Sequence, residues 1–254
     1  MYRKILYELR DGIARITLNR PDKRNALDAE IVADLKAAFS ASASEETCRV
    51  VLLTGAGTDF CSGADLANLE KTAQSSVLDN MADARATADL FLMIRNHPRP
   101  VIAAVRGRAL AGGCGIATAC DIILAAQSAQ FGYPEVNIGF VPAMVMAILR
   151  RSVSEKAALE LVVTGGTVSA ARAHELGLVH RVFADEQFPV EVESYVVKLA
   201  GKSASAVMLS KRLLYNMDSM SFEAALQAGV EINAIARQTE DCRKGVENFL
   251  KKKT

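Results

Sequence analysis

The stretch PVIAAVRGRALAGGCGIATACDIILAAQSAQFGYPEVNIGF, residues 100–140, reads as strand, glycine-rich turn, helix, strand and loop. Val101 to Val105 is a short apolar run with β-branched residues, as expected of a strand buried on both faces. Ala111, Gly112, Gly113 and Gly115 then leave almost no side chain between the backbone and an approaching ligand. Ile116 to Cys120 continues as a small-residue helix, and Asp121 to Ala126 returns as a second buried strand. Beyond it stands Glu135, set among Phe131, Tyr133, Pro134, Val136 and Ile138.

The first N–H groups of a helix have no intrahelical acceptor and carry the positive end of its dipole. Bare glycine at such a start lets an oxygen approach those groups closely. If that oxygen gains negative charge during a reaction, each donor is worth about 3–4 kcal/mol of barrier. A carboxylate in apolar company has its charged form disfavoured, which suits a group that must give and take protons. Read blandly, the glycines allow tight helix–strand packing and Glu135 is a loop residue. A lone glycine-rich turn does not separate the two readings.

Working outward, Ile5 to Leu9 and Ile13 to Leu18 form two strands around a turn at Arg10-Asp11-Gly12. Arg20 to Asn25 is a loop bearing Arg20, Lys23 and Arg24. Asp28 starts a helix with Ile31, Leu35 and Phe39 on one face, and Ser40 to Glu46 reads as a small, polar linker. Val50 to Thr54 is another buried strand, running into Gly55-Ala56-Gly57 and Phe60-Cys61-Ser62-Gly63-Ala64-Asp65-Leu66. This repeats the plan of residues 100–140 and suggests a strand–turn–helix superhelix. Each unit would offer one backbone N–H to the same point, a two-donor hole.

Ser76 to Arg95 reads as a helix with Val77, Met81, Ala84, Ala88 and Leu92 along one stripe, stopped by His97-Pro98. Pro142 opens a further helix whose first turn, Ala143 to Met146, is bulky and apolar; with residues 66–74 it is placed to shape a pocket. The last strand ends near residue 183. Glu186 to Ala200, Ala204 to Asn216 and Ser221 to Leu250 then read as helices, a layer whose apolar positions (Leu213, Leu214, Phe222, Leu226, Val230) need a partner surface.

The 254 residues suffice for a substantial core, and half of them are hydrophobic. A net charge of +1 and the absence of Trp give no support to nucleic-acid binding. The five cysteines form no CxxC pair and read as reduced thiols. The three histidines form no HExxH, so no metal site is expected. His174 and His180 read as structural. Charges at Glu8, Arg10 and Asp11 do not suit a signal peptide, and no run has membrane-spanning length; a cytoplasmic protein is expected. The third glycine of a GxGxxG falls on Phe60, Gly201-Lys202-Ser203 lacks the P-loop's first glycine at Val196, and there is no GxSxG.

Taken together, these segments resemble the enoyl-CoA hydratase/isomerase (crotonase) superfamily over nearly the whole chain. The resemblance rests on Asn19-Arg20-Pro21 with Lys23 to Leu27, Phe60 to Leu66, the stretch through Cys120-Asp121-Ile122, Phe131 to Gly139, and Ala173 to Val179. It implies an α/β protein: a crotonase-like ββα spiral core over residues 1–190 and a C-terminal helical trimerisation region over 191–254, as a trimer or dimer of trimers. It implies an acyl-CoA thioester substrate and no separate cofactor, since coenzyme A is part of the substrate.

By the same resemblance the oxyanion donors are the amides of Ala64 and Gly112, and the acid/base is Glu135. Lys23, Arg24, Ala26, Ser62, Asp65, Leu66 and Gly113 would bind the coenzyme A portion, with Phe249 and Lys252 reaching it from the tail, across subunits if the trimer forms. The family's lysine after the Ala-Asp-Leu run is Ala67 here, so phosphate binding must be rearranged. The two-carboxylate hydratases carry glutamate where this chain has Gly115. A single carboxyl can add water in syn fashion through its two oxygens, or shuttle a proton between C2 and C4 of an enoyl chain. The local pattern around Glu135 is that of a single-glutamate branch assigned as hydratases. Enoyl-CoA hydratase is therefore the expectation, with Δ3,Δ2-enoyl-CoA isomerase and a non-catalytic acyl-CoA-binding protein as alternatives.

Overall fold

The computed structural model describes residues 2–65, 70 and 74–251. The chain opens with a hairpin, β1 (Ile5–Arg10) and β2 (Ile13–Leu18), turned at Asp11 and Gly12, both at positive φ. α1 (Ala29–Ser44) starts where the Asp28 side chain accepts the Ile31 N–H, 2.9 Å away. There follow β3 (Val50–Gly55), α2 (Val77–Arg95), β4 (Val101–Val105), β5 (Arg108–Leu110), α3 (Gly112–Ala119), β6 (Ile122–Ala126) and β7 (Gln130–Gly132). A 3₁₀ turn at Pro134–Ile138 leads to α4 (Ala143–Ser152), α5 (Glu155–Thr164), β8 (Thr167–Ser169), α6 (Ala170–Glu175) and β9 (Arg181–Phe183). The chain closes with α7 (Phe188–Ala200), α8 (Ala204–Asn216), α9 (Phe222–Gln238) and α10 (Glu240–Lys251).

The larger sheet has the order β1-β2-β3-β4-β6-β9 and is parallel from β2 onward. The smaller one, β5-β7-β8, pairs β5 and β7 in parallel. Three strands of the large sheet lead into short pairing segments, β4 into β5, β6 into β7, and β3 into the Cys61 bridge to Ala109, which is the turn of the spiral. One face of the large sheet (Ile16, Val51, Leu53, Ala103, Ile123) packs with α1, α2 and α3 into the main core. The other (Ile13, Leu52, Ile102, Leu124) lies beneath Phe188, Val192 and Val196 of α7. The expected boundary after residue 190 thus falls inside α7, the helix that covers the sheet's second face.

Three local readings are corrected. Ser40 to Ser44 is helical, with Ser42 buried and its hydroxyl on the Phe39 carbonyl, because Ala and Ser suit a close helix contact without breaking the helix. On α2 the stripe through Val77, Met81 and Leu92 faces outward, these residues being 75 %, 61 % and 56 % exposed. The packed residues are Leu90, Phe91 and Ile94, because only the last turns of this helix lie on the core. The single helix expected over 221–250 breaks at Thr239, whose hydroxyl accepts the Cys242 N–H and starts α10.

Candidate active site

A single row of parallel pairing builds the site. Cys61 pairs with Ala109, and Ala109 pairs with Phe131. Past this row each segment leaves its pairing at the same end: Ala64 three residues beyond Cys61, Gly112 three beyond Ala109, and Glu135 four beyond Phe131. Ligands of open parallel sheets collect at this carboxyl end, where strands stop and loops begin.

The main chain fixes which way the donors point. Leu27 donates to Gly63 O (2.7 Å) and accepts from Asp65 N (2.9 Å), so the N–H of Ala64 between them faces away from Leu27, toward the β5–α3 side. Gly63, at φ +94°, lies against Ala111, the residue before Gly112; a Cβ there would stand 2.8 Å from Ala111 Cβ. A Cβ on Gly112 would meet Leu27 Cδ1 at 3.2 Å, so Leu27 touches both units. Ala111 has φ +49° and ψ −128°, a conformation that L-residues avoid and that costs about 1–3 kcal/mol. It turns the peptide so that the Gly112 N–H begins α3 rather than continuing β5. Among the described residues neither the Ala64 nor the Gly112 N–H has a hydrogen-bond acceptor.

Gly113 is required for the approach of the two units: its Cβ would fall 2.5 Å from Cys61 O. At Gly115 a Cβ would meet the Phe91 ring at 2.9 Å and Val145 Cγ2 at 3.0 Å. The position where the two-carboxylate pattern would put a second glutamate is therefore faced by an apolar wall from α2 and α4.

Glu135 is half-buried in the 3₁₀ turn, and its Oε2 is buried with no hydrogen-bond partner. Burial holds its carboxyl above the ordinary glutamate range, and only its own main-chain N–H works in the other direction. Its neighbour Cys114 is sealed in the core, where burial pushes the thiol up to about 11. Two unused amides and a carboxyl of this kind, at the same end of one pairing row, are the groups needed to hold developing charge on a carbonyl and to move a proton at an adjacent carbon.

The Lys23–Ala26 loop is fastened against the Ser62–Asp65 segment. Ser62 N donates to Arg24 O at 3.0 Å, and the Arg20 guanidinium reaches Ala26 O (3.0 Å), Asp28 (2.7 Å) and Asp65 (2.9 Å). Lys23 and Arg24 are exposed, Ala26 is buried, and Asp65 is turned to Arg20. Phe249 lies 60 % exposed on α10, whose main contacts are with α8 and α9, so the chain itself does not bring it to the row. Leu66 and Lys252 lie outside the described residues.

Several contributors were not singled out from the sequence. Asn25 is fully buried at φ +55°; its Oδ1 accepts from Arg20 N (2.9 Å), and its amide donates to Ala56 O (2.9 Å) and Asp59 O (2.8 Å). The signal was an asparagine inside a charged turn, where a left-handed residue is common. Phe91, which with Val145 closes the wall at Gly115, carries no local signal because it belongs to a helix distant in sequence, whereas Val145 lies in the apolar first turn that the sequence marks as pocket-shaping.

The sequence profile of the enoyl-CoA hydratase/isomerase family matches residues 8–254. The chain belongs to this family. It is 36 % identical over 241 residues to a putative enoyl-CoA hydratase of Thermus thermophilus, covering 95 % of each chain. It is 30 % identical over 255 residues to the 2,3-dehydroadipyl-CoA hydratase of Escherichia coli, covering 99 % of this chain and 97 % of the other. Among solved structures, the enoyl-CoA hydratase of Mycobacterium smegmatis superimposes with a TM-score of 0.94 at 35 % identity, covering 98 % of this chain and 97 % of that one. The spiral and the C-terminal helices are therefore the crotonase fold.

Proposed function

We propose that this family member is an enoyl-CoA hydratase that works with a single carboxylate. The observation that carries the reading is the buried, unpartnered Oε2 of Glu135 at the end of the same pairing row as the two unused amides. The names of the relatives support it. In this reading the thioester carbonyl accepts from Ala64 and Gly112. Glu135 takes a proton from a water, whose oxygen bonds to C3, and the C2–C3 π electrons move onto the carbonyl as an enolate. The acid then returns a proton to C2 from the same side, so water adds across the double bond and Glu135 is left as it began.

The coenzyme A portion lies along Lys23, Arg24, Ala26, Ser62 and Asp65, the two exposed cations toward its phosphates. Replacing Glu135 by Gln is expected to abolish most hydration of crotonyl-CoA while keeping coenzyme A ester binding. A variant that hydrates at the wild-type rate sinks the reading. Binding of thioesters without turnover of any would instead favour the non-catalytic alternative.

The wall at Gly115 favours a second reading, Δ3,Δ2-enoyl-CoA isomerisation. The side chains nearest to a Cβ at Gly115 are apolar and offer no hydrogen bond to a water, whereas moving a proton from C4 to C2 needs only Glu135. Comparing kcat/KM for 2-enoyl- and 3-enoyl-CoA of the same length separates the two.

The exposed Phe222, Leu226 and Val230 recur every four residues on α9, which has no buried residue. This supports assembly of the protein as a trimer or dimer of trimers, with light scattering as the check. No described helix is long and apolar enough to cross a membrane.

A further inference from the structure

The acid and the oxyanion donors sit on separate elements, and their separation must be held while a proton moves. Glu135 Oε2 has no partner to hold it. Its placement is inherited from the 3₁₀ turn on which it sits. On the far side, the Asn137 amide donates to Gly165 O at 2.8 Å. On the near side the turn begins at Tyr133, which is fully buried.

The Tyr133 hydroxyl lies 2.7 Å from Thr118 Oγ1, and Thr118 Oγ1 lies 2.8 Å from the Cys114 carbonyl oxygen. A carbonyl only accepts, so the single hydroxyl proton of Thr118 is committed to Cys114. The Tyr133 O–H must then be the donor to Thr118. Burial keeps this phenol protonated, well above its ordinary range. Thr118 is on the last turn of α3 and Cys114 on its first, two residues after Gly112. The path from acid to donor therefore runs from Glu135 through two residues to Tyr133, across two hydrogen bonds to Cys114, and through two residues to Gly112.

The geometry points to Tyr133 and Thr118 as positioning residues, a strut that sets the distance between the acid Glu135 and the Gly112 amide. This rests on the reading of Glu135 as the acid. The strut touches neither substrate nor reacting atoms; it acts by holding a near-attack arrangement, in which a displacement of about 1 Å can lower the rate by up to about a hundredfold.

The test is steady-state kinetics on crotonyl-CoA, or on the 3-enoyl ester if that is the better substrate, for Tyr133→Phe, Thr118→Val, their combination, Thr118→Ser and Glu135→Gln. Tyr133→Phe and Thr118→Val should each lower kcat about tenfold with KM within about twofold. The double variant should be no slower than either single one, because the strut is one unit. Thr118→Ser keeps both hydrogen bonds and should keep wild-type kcat.

Packing alone would predict a loss that tracks the melting temperature and adds between the two sites. Additive effects, or a wild-type kcat in Tyr133→Phe while Glu135→Gln is inactive, overturn the strut and leave the acid assignment standing. Full activity in Glu135→Gln overturns the proposed function itself. If Tyr133→Phe does not fold, Thr118→Val against Thr118→Ser decides, since the serine variant alone retains the bonds.

Discussion

The two halves of the site are built by opposite means. In the proposed reading the donor half is main chain: the amides of Ala64 and Gly112 are set by the bonds of Leu27 to Gly63 and Asp65, the contact of Gly63 with Ala111, and the Cys61–Ala109 pairing. The acid half is one side chain whose oxygen is buried and left without a partner. The difference follows from what each must do. Donors that stabilise developing charge work best when they need not reorganise, so they are held from several directions. An acid that must both take and give a proton loses by being hydrogen-bonded, since a bond to the charged form would lower its affinity for the proton. A structure in which the acid were tied and the amides loose would have the wrong properties for either candidate reaction.

The largest effect is expected at the acid. Glu135→Gln keeps the shape and removes the proton carrier, and kcat should fall by about 10²–10⁴-fold. The fold should survive, because no described hydrogen bond to Oε2 is lost. Steady-state kinetics beside a melting curve checks both halves of this statement. A large drop in melting temperature would mean that Glu135 has a structural partner, and the contrast drawn here would be wrong.

The donor half should fail in the other manner, losing stability along with rate. In Gly113→Ala the new methyl would lie 2.5 Å from Cys61 O and 2.7 Å from Cys61 Cβ, so α3 must lift from the first unit. Loss of one oxyanion donor is worth about 10²–10³ in kcat, and an overpacked contact about 1–3 kcal/mol of stability. Kinetics with denaturant unfolding would show both. An alanine variant that kept full rate would mean that the two units need not touch.

One step further out, Asn25→Ala leaves the Ala56 and Asp59 carbonyls without their amide donor and puts, in a left-handed conformation, a residue without the polar side chain that lets Asn tolerate it. The loss expected is about 2–4 kcal/mol. Because Asn25 also shapes the loop carrying Lys23, Arg24 and Ala26, KM for the coenzyme A ester should rise more than kcat falls. Urea unfolding and a KM measurement decide; a rise in stability would show that the buried amide is a burden.

This contrast also marks what the sequence could reveal. Gly112, Gly113 and Glu135 stood out as a glycine-rich turn and a carboxylate in apolar company, while Ala64 and the roles proposed for these residues came through the family resemblance. The spiral was legible as two similar strand–turn–helix units. The row that aligns them was not, because β5, β7 and β8 have three residues each, too few to show a period. Nor was the wall at Gly115, which Phe91 and Val145 reach from α2 and α4. The stripe on α2 misled because a helix that meets the core only over its last turns can carry apolar residues on its free side. Thr118 and Tyr133 read as ordinary small and aromatic residues; only their hydroxyls' 2.7 Å approach gives them a role.

The smallest effect concerns pH, and it sharpens the contrast by its sign. Glu135 has its carboxyl raised above the ordinary glutamate range by burial. A carboxyl raised in the folded state contributes stability that is complete below the unfolded value and is lost as pH rises through the folded value. Above that folded value the protein carries an ionised, unpartnered oxygen at some cost, and Glu135→Gln does not. The Gln variant should melt slightly above the wild type at pH 7, and the gap should close on acidification below the ordinary glutamate range. The same titration should appear as the acid limb of kcat/KM, displaced upward from that range if Glu135 acts as the base in the free enzyme. Paired melting curves of the two proteins from pH 4 to pH 8 measure the gap with most other titrations cancelled. A wild type more stable than the Gln variant at pH 7, with the gap widening as pH rises, would mean that the carboxylate is stabilised where it stands, and that the acid half is as firmly held as the donor half.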